Sequence, residues 1–227
     1  MQDLKLNIQL QVHENLYLKH PESSKLGKRI IKAGIDLIYE VGFEDFNFRK
    51  LAQSINTSEA SIYRYFESKV KMLLYLTNWY WSWNEYRLAF LLANISNAKE
   101  KLKRSIQLIT EEVENDGAFE HINEAKLHQI VALDSPKAYL NKQVDSINEE
   151  GAFLKYKNFV DRISELVLEL NPNYLYPHML ISTVIEGAHM QRHFAAHLPR
   201  LTDQVKGKDA VADFYEEIVF KAIETTK

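Results

Sequence analysis

The segment that most restricts this chain runs from Asn47 to Lys69, NFRKLAQSINTSEASIYRYFESK, where two short helices must share one tight connection. Asn47 predicts an N-cap, because its side chain can accept a hydrogen bond from an otherwise unsatisfied backbone N–H. Phe48, Leu51, Ala52 and Ile55 then recur on one helical face. Asn56-Thr57-Ser58 interrupts that pattern with residues whose short side chains bond the local backbone and favour turns and caps. Ser58 is expected to cap a second helix over Glu59 to Tyr65, with Ala60, Ser61 and Arg64 outward and Ile62 and Phe66 inward. Ser68 caps the helix after it.

This is the build of a helix-turn-helix. In such units the second helix lies in the major groove of DNA with its N-terminal residues at base edges, while flanking groups hold phosphates. Glu59, Ala60 and Ser61 are the edge-facing residues here, small enough after Glu59 to let the helix approach closely. Lys25, Lys28, Arg29 and Lys32 cluster at the start of the preceding helix, within reach of phosphates or as an ordinary solvated face.

Gly42-Phe43, Leu51-Ala52, Ser58, Ser61, Ile62, Tyr63, Tyr65, Phe66 and Lys69 stand in the order and spacing of a family motif. Over residues 24–73 the chain resembles the TetR family of bacterial transcription regulators. The resemblance implies that Tyr63, Tyr65 and Lys69 hold phosphates and that Arg49, Ser58, Glu59, Ala60 and Ser61 lie near or in the groove. Lys25, Arg29, Asn47 and Arg64 complete the expected DNA-binding set. It also implies an all-α protein, a helix-turn-helix head on a larger helical domain that binds an effector and dimerises, and a homodimer on a palindromic double-stranded operator. Three positions depart from the family pattern. Asn56 replaces the usual turn glycine and can still take a left-handed backbone; Phe46 and Asn47 replace first-helix threonines; Glu59 stands where a basic residue is frequent. Glu59 would repel phosphate but could accept from a cytosine N4 amine.

Length and composition agree with this. The 227 residues suffice for one or two domains, expected as 1–22, an N-terminal extension; 23–73, the head; and 74–227, the helical body. No apolar run reaches the about 18 residues a membrane span needs, and Met1-Gln2-Asp3 lacks the basic start of a signal peptide. A cytoplasmic location is expected. The absence of cysteine excludes disulfides and thiolate chemistry. Residues 22–73 carry a net +2 against −3 for the whole chain, so the remainder is acidic.

In the body, a long helix is expected from Ser68 to about Ser96, and another from the capping-box sequence at Asn97 to near Gly117. Helical periodicity continues over His121–Leu133, from Ser135-Pro136, over Phe153–Leu170, Tyr176–Leu198 and Asp209–Thr226, with Gly151 and Asn171-Pro172-Asn173 as breaks. Trp79, Trp83, Tyr86, Arg87 and Phe90 form a stripe that reads either as core or as the wall of a small-molecule pocket. Leu180, Val184, Met190 and Phe194, with Val211, Phe214, Ile218 and Ile223, read as a dimer interface or as core within one subunit.

His189, His193 and His197 recur at intervals of one helical turn, and Glu186 precedes His189 with the Glu-x-x-His spacing of metal-holding bundles. No second copy of that spacing exists, so no metal and no cofactor are expected. With no nucleophile–base–orienter set and no phosphate-cradling loop among the seven glycines, no enzymatic activity is expected either. A metal-bundle enzyme and a DNA-free interaction protein that retains the head stay as the alternatives. Finally, Leu4, Leu6, Ile8, Leu10 and Val12 alternate with polar residues at period two, a strand pattern. It could pair with Leu16-Tyr17-Leu18 as a hairpin, pair with a second subunit, or stay an unstructured tail.

Overall fold

The computed structural model describes residues 10–115, 117–140 and 142–224, and among these every regular element is helical. The head comprises α1 (Lys25–Asp45), α2 (Phe48–Ser54) and α3 (Glu59–Tyr63). Each starts where the side chains dictate. The Ser24 hydroxyl accepts from Gly27 N–H at 3.0 Å, Asn47 Oδ1 from Lys50 N–H at 2.9 Å and Ser58 Oγ from Ser61 N–H at 3.2 Å. Gly42 takes φ 77°, a conformation that few other residues adopt cheaply, and so turns the end of α1 and buries Phe43 beside Phe46 and Phe48. Asn56 adopts φ 49°, so it fulfils the turn role of the missing glycine.

The helix α4 (Lys69–Leu92) leaves the head and runs through the body. From Met72 to Asn84 it is buried on every side, as a helix apolar all round must be. Around it lie α5 (Ala98–Thr110), α6 (Glu124–Asp134), the short α7 (Pro136–Tyr139) and α8 (Val144–Glu149), α9 (Leu154–Leu170), α10 (Pro177–His197) and α11 (Ala210–Glu224). α5 packs on α9, α10 and α11, while α6 fills the space between α4 and α1. α5 stops at Thr110, well before Gly117, and α8 has no buried residue to announce it in the sequence.

The hairpin expectation is overturned for the described part of the extension; residues 4–9 of the alternating run lie outside the described residues. Glu14–Leu16 is a 3₁₀ turn, and the segment lies along α4 instead of pairing with another strand. Leu10, Val12 and Leu16 are buried. Polar side chains of α4 supply the backbone partners: Ser82 Oγ donates to Gln11 O at 2.9 Å, and His13 N–H donates to Asn78 Oδ1 at 3.2 Å. Leu18 N–H reaches the Tyr65 carbonyl at 2.8 Å. A second 3₁₀ turn, Pro21–Ser23, carries Glu22, whose Oε1 accepts from Trp79 Nε1–H at 2.9 Å and from the Tyr75 hydroxyl at 3.3 Å. Burial pushes the Glu22 carboxyl up, but His121 at 3.7 Å and the Trp79 bond outweigh it and hold the pKa below the usual carboxylate range.

Candidate functional site

The exposed face of the head is built from the first turn of α3 and the residues beside it. Glu59 and Ala60 are fully open, Ser61 is half-buried, and the Ser58 and Ser61 hydroxyls are hydrogen-bonded to each other at 2.9 Å. Lys25, Asn47, Arg49 and Arg64 are exposed on surrounding positions, and Tyr63 stands out of the head with its ring edge on Phe48 at 5.1 Å between centroids. An exposed helix start of small residues, with exposed cations and one phenol elsewhere on the head, can approach a groove and hold phosphates.

Three of the residues expected on phosphates have partners within the head. Lys69 Nζ donates to the carbonyls of Phe43, Glu44 and Phe46, at 3.0, 3.0 and 3.2 Å, and lies over the Phe43 ring. It thereby closes the C-terminal end of α1. Tyr65 is buried, its hydroxyl bonded to Ser24 Oγ at 2.8 Å. Arg29 Nη2 donates to the Ile55 carbonyl at 2.5 Å, tying α1 to the end of α2. These contacts join residues far apart in sequence, so spacing alone carried no sign of them.

In the body, a recess of about 150 Å³ opens between α6 and α10, beside the loop that follows α5. His128, His189, Arg192, His193 and His197 line it, against apolar walls from Val113, Ala132 and Leu133. Two imidazole pairs face it: His128 with His189, ring centroids 5.1 Å apart, and His193 with His197 at 4.6 Å. Burial, then the neighbouring His189, Arg192 and Arg87, lowers His128 to about 3, and its Nδ1 is bonded to the Tyr80 hydroxyl at 2.8 Å. Burial lowers His189 as well. Arg192 donates from Nε and Nη2 to Thr110 O at 3.0 and 2.5 Å, and from Nη2 to Asp209 Oδ2 at 2.6 Å.

Residues 30–76 match the family model described as bacterial regulatory proteins, tetR family. The head is that of a TetR-family regulator. No curated protein sequence matches the chain. Among solved structures, the fatty acid degradation regulator FadR from Bacillus halodurans is similar at a TM-score of 0.60 and 18% identity, over 88% of this chain and 95% of that one. FadR from Bacillus subtilis, solved with stearoyl-CoA, gives 0.60 and 18%, over 88% and 98%. AibR, solved with isovaleryl coenzyme A and operator DNA, gives 0.52 and 14%, over 86% and 97%. At these identities the likeness establishes the fold alone, over the part of the chain that is matched.

Within the body the aromatic stripe is divided. Trp79 and Trp83 stack on each other inside the core, whereas Tyr86, Arg87 and Phe90 border a shallow groove on the outer side of α4. Arg87 there lies over the Trp83 ring and pairs with Glu111. The five residues therefore share no cavity, because the stripe runs along one side of α4 from its enclosed middle to its exposed C-terminal end. The interface set divides too. Val184 (1% exposed) and Val211 (6%) are packed inside their own subunit, while Leu180 and Phe194 are half-buried and Met190, Phe214 and Ile218 are exposed. Ile223 is buried. Glu186 does not face a metal site with His189: its Oε1 accepts from the Tyr139 and Tyr156 hydroxyls at 3.0 and 2.9 Å. Among the described residues no three His, Asp or Glu side chains converge as metal ligands, and no helix is long and apolar enough to cross a membrane.

Proposed function

We propose that the chain is a homodimeric transcription regulator that binds a palindromic operator and is released from it by a small molecule in the helical body. The observation that carries this is the head: a TetR-family match on residues 30–76 whose second helix presents Glu59, Ala60 and Ser61 on an open face. In this reading residues 23–73 bind DNA, 74–227 bind the effector and dimerise, and 1–22 brace the two. Ser61 and Glu59 read bases; Tyr63, Arg64, Arg49 and Lys25 hold phosphates. Lys69, Tyr65 and Arg29 shape the surface that does so. The protein acts by binding and not by catalysis, and it acts in the cytoplasm, where the genome lies.

The body offers a route for release. One side of α6 lines the recess through His128, Ala132 and Leu133, and the other side faces α1. Lys126 Nζ pairs with Asp36 Oδ1 of α1 at 2.5 Å, and Lys137, just beyond α6, pairs with Glu44 at 3.3 Å. A ligand that prefers a displaced α6 shifts α1 with it and so favours a different spacing of the two heads, moving that equilibrium only as far as its differential affinity allows.

Fluorescence anisotropy with DNA from beside the chain's own gene tests this. Binding should weaken steeply with salt as phosphate contacts are exchanged for counterions. Tyr63→Phe should weaken all sequences alike, while Ser61→Ala should change the preferred base by about 1–3 kcal/mol. Salt-insensitive binding, or none at low salt, sinks the proposal.

A further inference from the structure

One imidazole of the recess has no partner within the protein. His189 is 7% exposed, lines the recess and has no hydrogen-bond partner for either ring nitrogen among the described residues. Its ring nitrogens open on the recess, so a molecule bound there can supply the hydrogen bond that the protein does not. Nearby, Arg192 uses Nε and Nη2 on Thr110 and Asp209, and its Nη1 carries no bond among the described residues.

The hydrogen-bonding groups around the recess decide what kind of ligand it suits. Four imidazoles and one guanidinium face the space, against a single lining carboxylate, Glu112, which is exposed at the mouth. Asp209 is already held by Arg192. A cation would find no free buried acid, whereas an anion would meet N–H donors on several sides. The size follows from the volume: a cavity of about 150 Å³ accommodates a benzene-sized molecule. The coenzyme A thioesters bound by two of the structural relatives are far larger.

We infer that the recess binds a small organic anion of single-ring size, its carboxylate seated between His189, His193 and Arg192 and its apolar part against Val113, Ala132 and Leu133. This rests on reading the body as an effector domain. Beyond His189, Tyr80, Trp81 and Phe159 border a further small void that shares His128 and His189 with the recess.

The probe is benzoate, titrated calorimetrically into the full chain at neutral pH beside benzyl alcohol and benzylammonium, which keep the ring and change only the charge. Benzoate should bind saturably, one per chain, at least about tenfold more tightly than either, equivalent to about 1.4 kcal/mol. It should also move the imidazole resonances of His189 and His193. His189→Phe, which fills the recess, should abolish binding. His193→Ala, at a half-buried position, should weaken it about tenfold while leaving the unfolding midpoint in place. No saturation at millimolar benzoate, equal binding of the ammonium, or unchanged affinity in both variants would overturn the inference. DNA binding by the same preparation is scored separately. A chain that binds DNA and ignores benzoate loses only its ligand class; one that binds benzoate and no DNA retains the site and loses the regulator reading.

Discussion

Lys69 ties the end of α1 to the start of α4. Its ammonium satisfies three carbonyls at the end of α1, so it fixes where Phe43 and Phe46 sit beneath α2. Lys69→Ala should destabilise the fold by about 1–3 kcal/mol in urea denaturation, the range for hydrogen bonds from a charged donor, and weaken DNA binding for every sequence. His128 gives a pH prediction whose sign follows from its burial. The folded state keeps the ring neutral down to about 3, while the unfolded chain takes up a proton below about 6.5. Stability is therefore intact above about 6.5 and is lost as the pH falls below it, by about 2 kcal/mol at about pH 5 for this one group. His189 acts in the same direction. Urea midpoints at neutral pH and near pH 5 should fall less in His128→Gln than in the parent; equal falls would remove His128 as the cause. At this scale the sequence was most readable where contacts are local. Asn47, Ser58, Ser68 and Asn97 all accept from a backbone N–H three residues on. Lys69 with α1 and His128 with His189 were not readable, since their partners come from other helices.

Among elements, α6 holds the central position because it touches both the recess and the head. Its start was visible only approximately: periodicity suggested His121, whereas Asn123 caps the helix at Glu124. What no periodicity could show was which neighbour each side of α6 would face. The extension went astray for a related reason. Alternation at period two is equally satisfied by a strand and by a segment that drops Leu10 and Val12 onto a helix, and Asn78 and Ser82 of α4 decide for the second. That packing leaves no room at Gly27, where a Cβ would meet the Pro21 carbonyl oxygen at 2.0 Å. Gly27→Ala should cost about 1–3 kcal/mol through overpacking, read as a lower urea midpoint, and should loosen the Pro21–Ser23 turn from α1. An unchanged midpoint would mean that the extension is not held against α1.

For the molecule as a whole, one stretch was enough to read the head and the all-α architecture, while the assignment of body surfaces required three dimensions. Leu180, Val184, Met190 and Phe194 share a helix, yet only packing separates Val184, enclosed in its own subunit, from Met190 outside it. Phe214 and Ile218, at 53% and 37% exposure, leave an apolar strip on α11 that suits a second copy. Phe214→Glu should shift the protein to monomer in sedimentation velocity and lower operator affinity with it, while the unfolding midpoint of the monomer holds. The most direct measurement is in vitro selection of bound fragments from random DNA at low salt. A palindrome with half-sites about one helical turn or somewhat more apart should be enriched, and Ser61→Ala should change the enriched bases without moving the half-sites. No enrichment of any sequence, with the protein folded and dimeric, would contradict a DNA-binding role for this head.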